Sequence, residues 1–179
     1  SIDPVMRVWL GPAGGYMPPV QVVQVMQSFA VGRVVESTLD GYRPGDALVG
    51  MFGWQDYADA SAKDVLWRVP LTEFPLSYSL GILGINGMTA YFGVTRICQP
   101  KPGETFVVST AAGAVGSAAG QIAGLLGARS VGIAGGADKQ RRCTEDFGFA
   151  TAVDYKAART AEDLAASLRQ ACPTGIDCF

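Results

Sequence analysis

Thr105-Phe-Val-Val-Ser-Thr-Ala-Ala-Gly-Ala-Val-Gly-Ser-Ala-Ala-Gly-Gln-Ile-Ala123 is the stretch on which the fold turns. Its first residues form an apolar run that predicts a strand over 106–109. Small residues including Gly113 and Gly116 then make a turn, and an alanine- and glycine-rich helix is expected over 115–126. Outward from there, strand and helix patterns keep alternating. A strand is expected at 130–134, a helix at 138–147, a strand at 152–155 and a helix at 161–171, and Ile176 opens another strand. This alternation predicts an α/β fold with a parallel, doubly wound sheet and right-handed crossovers.

Upstream the character differs. Val31-Gly-Arg-Val-Val-Glu36 alternates as a half-buried strand does, Tyr42-Arg43-Pro44-Gly45-Asp46 makes a turn, and 47–52 reads as the next strand. Short strands are expected at 57–60 and 66–69. Frequent turns without a long helix predict a small barrel or sandwich. After Pro70 apolar residues fall at helical spacing over 77–83 and 87–95, and Pro100-Lys101-Pro102-Gly103-Glu104 ends that run. Two domains follow, residues 1–76 and 77–179. The chain opens on Ser1-Ile2-Asp3-Pro4 and closes inside an expected strand, so it reads as part of a longer protein.

Of 179 residues, 49% are hydrophobic and 17% charged, enough apolar material for a core. The formal charge of -2 comes with no dense basic patch, so no nucleic acid partner is expected. No apolar run reaches the roughly 20 residues of a membrane span, and no signal peptide is apparent. A cytoplasmic location is therefore expected, with no membrane partner. Cys98, Cys143, Cys172 and Cys178 are scattered and read as free thiols. The chain has no histidine, which removes His-based triads and His-ligated metals; no metal site is expected.

A strand, a glycine turn and a helix N-terminus in that order suit the pyrophosphate of a dinucleotide: the backbone can come close, and helix amides face the anion. Ala112, Gly113, Ala114, Val115 and Gly116 are the candidate residues. The bare glycine pattern also fits a tight turn with no ligand; its place inside a strand–helix–strand unit favours the dinucleotide. NAD-binding folds usually carry an acid at the tip of the second strand, about 20 residues past the glycines. Here that tip is Gly135-Gly136, followed by Ala137-Asp138-Lys139-Gln140-Arg141-Arg142. Gly135 and Lys139 therefore point to NADPH, with Lys139 at the adenosine 2′-phosphate. Arg141 and Arg142 read as surface residues, and Asp138 as the cap of a helix whose first residue is Lys139. Tyr155 either packs on the adenine side or gives its hydroxyl to the same phosphate. Met6, Trp54 and Tyr57 are candidate substrate-pocket residues, and packing inside the barrel explains each equally well.

With these residues in view, the chain resembles the medium-chain dehydrogenase/reductase superfamily, in its zinc-independent branch of prostaglandin reductases and alkenal/enone double-bond reductases. The resemblance rests on Ser1-Ile-Asp-Pro-Val-Met-Arg7, Val31-Gly-Arg-Val-Val-Glu-Ser37, Gly84-Ile-Asn-Gly-Met-Thr-Ala-Tyr91 and Ala111-Ala-Gly-Ala-Val-Gly-Ser117. Gly124-Leu-Leu-Gly-Ala128, Gly135-Gly-Ala-Asp-Lys139 and Val153-Asp-Tyr-Lys156 complete it. It implies a GroES-like β-barrel domain, lacking its first strands, before a Rossmann-type domain lacking its later half, with the active site in the cleft between. It also implies Lys139 and Tyr155 at the 2′-phosphate, Thr89 near the nicotinamide ribose, and a homodimer for the full-length protein. The implied substrate is a small enone or enal reduced at its carbon–carbon double bond by NADPH. A quinone reductase and a non-catalytic NADPH-binding protein are the alternatives. The family's proposed proton donor falls beyond Phe179, so no catalytic residue is assigned. Two departures bear on substrate choice: the family usually has tyrosine where Val5 stands, and its Met-Pro-Gly is Ile85-Asn86-Gly87 here.

Overall fold

The structure is a computed structural model that describes residues 2–12, 17–70 and 73–179. Ser1, which opens the early signature, lies outside the described residues. The chain divides into two compact units, Ser1–Leu80 and Gly81–Phe179.

The first unit opens with one helical turn, α1 (Met6–Trp9), and carries an antiparallel sheet of β1 (Ala30–Arg33), β2 (Ala47–Gly50) and β3 (Val65–Val69) in that order. β2 is buried along its whole length because it is the middle strand. Ala47, Val49 and Val69 form the core, with Val31, Trp67, Leu76 and Leu80 packed against them. The register slips between Val49 and Gly50, a bulge in the ladder. A Cβ on Gly50 would lie 2.2 Å from the Asp64 carbonyl, so only glycine passes there. Residues 57–60, expected as a strand, form none. The helix expected at 77–83 is a single 3-10 stretch, Leu76–Leu80, followed by a turn.

The second unit begins with α2 (Ile85–Phe92), which runs on as a π-helical stretch, Gly93–Cys98. Then come β4 (Thr105–Ser109), α3 (Ala114–Leu125), β5 (Arg129–Ala134), α4 (Ala137–Glu145), β6 (Thr151–Asp154) and α5 (Ala161–Ala171). β4 pairs parallel with β5, and β5 with β6. On the other edge of β4 the next strand begins: Cys178 bridges Phe106 in parallel, and the Val107 N–H donates to the Cys178 carbonyl at 2.8 Å. Asp177 clamps the start of that pairing, its carboxylate accepting the Thr105 N–H at 2.8 Å.

Alternate residues of β4 look in opposite directions, and both faces are covered. Phe106 packs with Ala90 of α2, Val94 of the π-helical stretch and Ala118, Ala119 and Ala123 of α3. Val107 packs with Val131 and Cys172, on the side of α5. A parallel strand buried on both faces reads as a continuous apolar run, which is how 106–108 reads. The small residues of α3 let its backbone come down onto the sheet: a Cβ on Gly120 would lie 2.0–2.6 Å from the Phe149 ring. The buried Ser130 hydroxyl answers the same closeness by donating to the Gly120 carbonyl at 2.6 Å.

Gly120→Ala is therefore expected to destabilise the protein by about 1–3 kcal/mol through overpacking. Gly124→Ala, on the exposed side of the same helix where an added Cβ meets only Ser130 Oγ at 3.9 Å, is expected to stabilise by up to about 1 kcal/mol. Urea-unfolding midpoints that move in opposite directions for the two variants would bear this out.

Candidate functional site

Order along the sheet decides where a site can form. With the Cys178 segment counted, the strands run β6, β5, β4, then 177–178, so chain order reverses direction beside β4. In open α/β sheets a crevice forms at such a reversal, outside the carboxyl ends of the strands. The Thr110–Gly113 turn lies at that end of β4.

Thr110 adopts φ +52, a left-handed conformation that is uncommon for a β-branched residue. Its carbonyl accepts the Gly113 N–H at 2.7 Å, and the Ala111 N–H donates to the Ile133 carbonyl at 3.1 Å, tying the turn to β5. Gly113 is the N-cap of α3 and has no side chain with which to cap it. A Cβ on Gly116 would lie 2.4 Å from the Thr110 oxygen, so that glycine is what lets the helix sit against its own turn. The first α3 amide to reach a carbonyl outside the helix proper is that of Ser117, which donates to Gly113. Among the described residues, the N–H groups of Ala114, Val115 and Gly116 find no protein acceptor. Three amides at the positive end of a helix dipole suit an anion.

The second part of the site lies at the carboxyl ends of β5 and β6. Gly136 has φ +96 and is the N-cap of α4, which begins at Ala137. Asp138 is thus the second helical residue and Lys139 the third. Asp138 does not cap the helix; its exposed carboxylate pairs with Arg141 at 3.4 Å. The Gly136 amide is held instead by Asp154, whose Oδ1 accepts it at 2.7 Å and the Lys156 N–H at 2.9 Å. The tip of β5, free of acids in sequence, therefore has a carboxylate in space, and that carboxylate is occupied by two backbone amides. These hydrogen bonds, Gly136 first and Lys156 next, hold the Asp154 carboxyl below its ordinary value.

The three cations of α4 differ. Arg141 pairs with Asp138 and Glu145, and Arg142 pairs with Asp146 and lies over the Phe147 ring at 5.3 Å. Lys139 is exposed and, among the described residues, makes no ion pair. Tyr155 follows β6, half-exposed, its ring atoms 2.8–2.9 Å from where a Cβ on Gly135 would stand. Gly135 thus makes room for the ring above it.

The other candidates lie elsewhere. Thr89 is exposed on α2 with its hydroxyl donating to the Ile85 carbonyl at 2.7 Å. Gly87, in the same segment, is required: a Cβ there would lie 1.7 Å from the Ile82 carbonyl oxygen. In the first unit Met6 is buried, its sulfur accepting the Asp3 N–H at 3.5 Å, whereas Trp54 and Tyr57 are exposed. Cys143 and Cys172 are buried free thiols whose pKa values burial pushes up, which makes them poor nucleophiles. Asp154 and Lys156 were not picked out by sequence reasoning; the only signal was their place flanking Tyr155.

Residues 1–68 match the family described as the N-terminal domain of oxidoreductase. Over its full length the chain is 46% identical to the NADPH-dependent curcumin reductase of Escherichia coli (strain K12), covering 50% of that protein. It is 39% identical to the 2-alkenal reductase (NADP(+)-dependent) of Nicotiana tabacum, covering 52% of it. A crystal structure of CurA from Vibrio vulnificus in complex with NADPH aligns over 98% of this chain and 51% of that one, with TM-score 0.84 and 39% identity.

The chain belongs to the medium-chain dehydrogenase/reductase superfamily. Within that superfamily it falls in the zinc-independent branch of alkenal and prostaglandin reductases, and it spans about half the length of the curated relatives it matches. Its first unit has the GroES-like fold of that family, and its second the Rossmann-type fold. Among the described residues, no helix is long and apolar enough to cross a membrane.

Because Asp154 has a folded-state pKa below its ordinary 3.8, its contribution to stability is present above that value and is lost as pH falls through the lower folded value. Asp154→Asn removes this contribution. The variant is expected to melt below the wild type at neutral pH, the gap closing as pH drops below about 4. Thermal unfolding from pH 7 to pH 3 checks it, and a gap of constant size would contradict it.

Proposed function

We propose that the protein is an NADPH-dependent reductase of the carbon–carbon double bond of α,β-unsaturated ketones and aldehydes. The observation that carries this reading is the set of open amides on Ala114, Val115 and Gly116 at the point where strand order reverses. The names of the relatives support the rest: one is a reductase of 2-alkenals, which are α,β-unsaturated aldehydes, and two are described with NADPH or NADP. The donor set suits the group. Uncapped amides and the small residues Ala112 and Gly113 fit a pyrophosphate, and a tyrosine at the β5 tip with a lysine in the first turn of α4, making no ion pair among the described residues, fits a 2′-phosphate.

In this reading 112–116 bind the pyrophosphate through backbone N–H groups, and Lys139 and Tyr155 hold the 2′-phosphate. Gly135 keeps the strand tip low enough for the Tyr155 ring to lie across it. Thr89 contributes near the nicotinamide ribose by its backbone or by releasing its hydroxyl from the Ile85 carbonyl. Trp54 and Tyr57, with exposed rings, serve the substrate, and Met6 supports from within its unit's core. When bound, NADPH supplies the hydride that adds to the β-carbon of the enone. What this chain's residues contribute is binding, orientation and discrimination between the phosphorylated and unphosphorylated cofactor.

Lys139→Ala is expected to weaken NADPH binding about tenfold or more, the scale of a charge-assisted hydrogen bond, and to leave NADH binding unchanged. Titration of both cofactors checks it; an unaltered NADPH/NADH preference would remove Lys139 from the site. For substrate, NADPH consumption with an enone and with a quinone, each product identified by mass, should favour the saturated ketone. Equal or greater quinone turnover would make the protein a quinone reductase, and tight NADPH binding with no turnover would make it a non-catalytic binder.

A further inference from the structure

Lys156 shares the strand tip with Lys139 and reaches it from a different element. Its stem crosses Gly135, where Lys156 Cε lies 3.0 Å from the position a Cβ would occupy, beside the Tyr155 ring at 2.8 Å. Gly135 has no left-handed φ, so what an added Cβ would meet there is the two side chains lying over it. Lys139 approaches the same tip from α4, its N–H donating to the Gly136 carbonyl at 3.1 Å. Among the described residues neither lysine makes an ion pair, while both nearby arginines of α4 are matched by acids of their own helix or its C-cap. Two lysines thus start from the same strand tip, neither of them in an ion pair among the described residues. The Asp154 carboxylate accepts the amides of Gly136 and Lys156 through the same oxygen and, among the described residues, is close enough to neither lysine for an ion pair, the Lys156 charge adding only a minor pull on its carboxyl. It fixes the start of the Lys156 side chain relative to the α4 turn, across 18 residues of sequence.

We propose that Lys156 is a second specificity-determining cation for the 2′-phosphate of NADPH, and that Asp154 is the positioning residue that presents it. This rests on the NADPH reading above. A phosphate monoester carries between one and two negative charges near neutral pH, and two ammonium groups neutralise it where one does not. An NADH molecule, which lacks that phosphate, leaves both lysines in water and gains nothing from them. Lys156 then sets the ratio of the two affinities and leaves the pyrophosphate contacts of 112–116 unaffected.

The test uses two fragments that carry only the adenosine half, adenosine 2′,5′-bisphosphate and adenosine 5′-phosphate, with dissociation constants measured by calorimetry on the protein and its variants. The wild type is expected to prefer the bisphosphate. Lys156→Met, which keeps the stem over Gly135 and removes the charge, should reduce that preference about tenfold, with adenosine 5′-phosphate binding unchanged. Lys156→Arg should restore most of it. Asp154→Ala should reduce the preference as well, whereas Asp154→Asn, which still offers an oxygen to both amides, should retain it. A Lys156→Met variant that melts like the wild type and keeps the full preference would overturn the proposal. Equal loss for both fragments in Asp154→Ala would overturn its positioning part. A wild type with no preference would instead overturn the NADPH reading itself.

Discussion

The carbonyl oxygen of Thr110 is the point on which the second unit depends. It closes the turn by accepting the Gly113 N–H, and it is the surface on which Gly116 rests. The left-handed backbone at Thr110 that aims it there costs on the order of 1–3 kcal/mol, which the hydrogen bond and the close seating of α3 on the sheet offset. Turning that carbonyl elsewhere would lift α3 off β4. The alanines at 118, 119 and 123 would lose Phe106, and the first amides of the helix would no longer face the carboxyl end of the sheet. One torsion angle thus couples core packing to the direction of about half a positive charge at the helix end.

Much of the architecture was legible because local signals agreed with it. Helix α5 runs over Ala161–Ala171, as its pattern predicts, since Thr160 accepts the Asp163 N–H and Asp163 answers the Thr160 N–H. That capping box lies within four consecutive residues and needs nothing from the rest of the chain. Helix α4 shows the opposite case. Asp138 has the right chemistry for an N-cap, but the chain had already turned left-handed at Gly136 and its amide was satisfied by Asp154. The helix starts without a side-chain cap, the Lys139 and Gln140 amides turning back to the Gly136 carbonyl. The strand expected at 57–60 failed for a related reason: short alternation favours a strand only where a partner edge is available, and none pairs with it among the described residues.

The candidate site divides along the same line. The glycine turn could be read because each of its residues acts through its own backbone. Lys139 could be separated from Arg141 and Arg142 only in part from sequence; the separation lies in which side chains the acids at 138, 145 and 146 engage. The function of Gly135 was hidden because the residues that need its missing Cβ, Tyr155 and Lys156, come about twenty positions later. Nothing in spacing or composition shows a ring or a lysine stem crossing a strand tip.

The clamp between Asp177 and Thr105 also bears on the order in which the sheet is made. β4, β5 and β6 are joined by short crossovers, and each can pair with its neighbour soon after it emerges. The far edge of β4 must wait for a segment 72 residues downstream, a closure that is slow because so much chain has to be ordered first. The Thr110 turn and the start of α3 need only β4, β5 and their own crossover. The backbone of the glycine turn can therefore be assembled while β4 is still an edge, and the strand beginning at 177–178 completes a crevice whose floor is already in place.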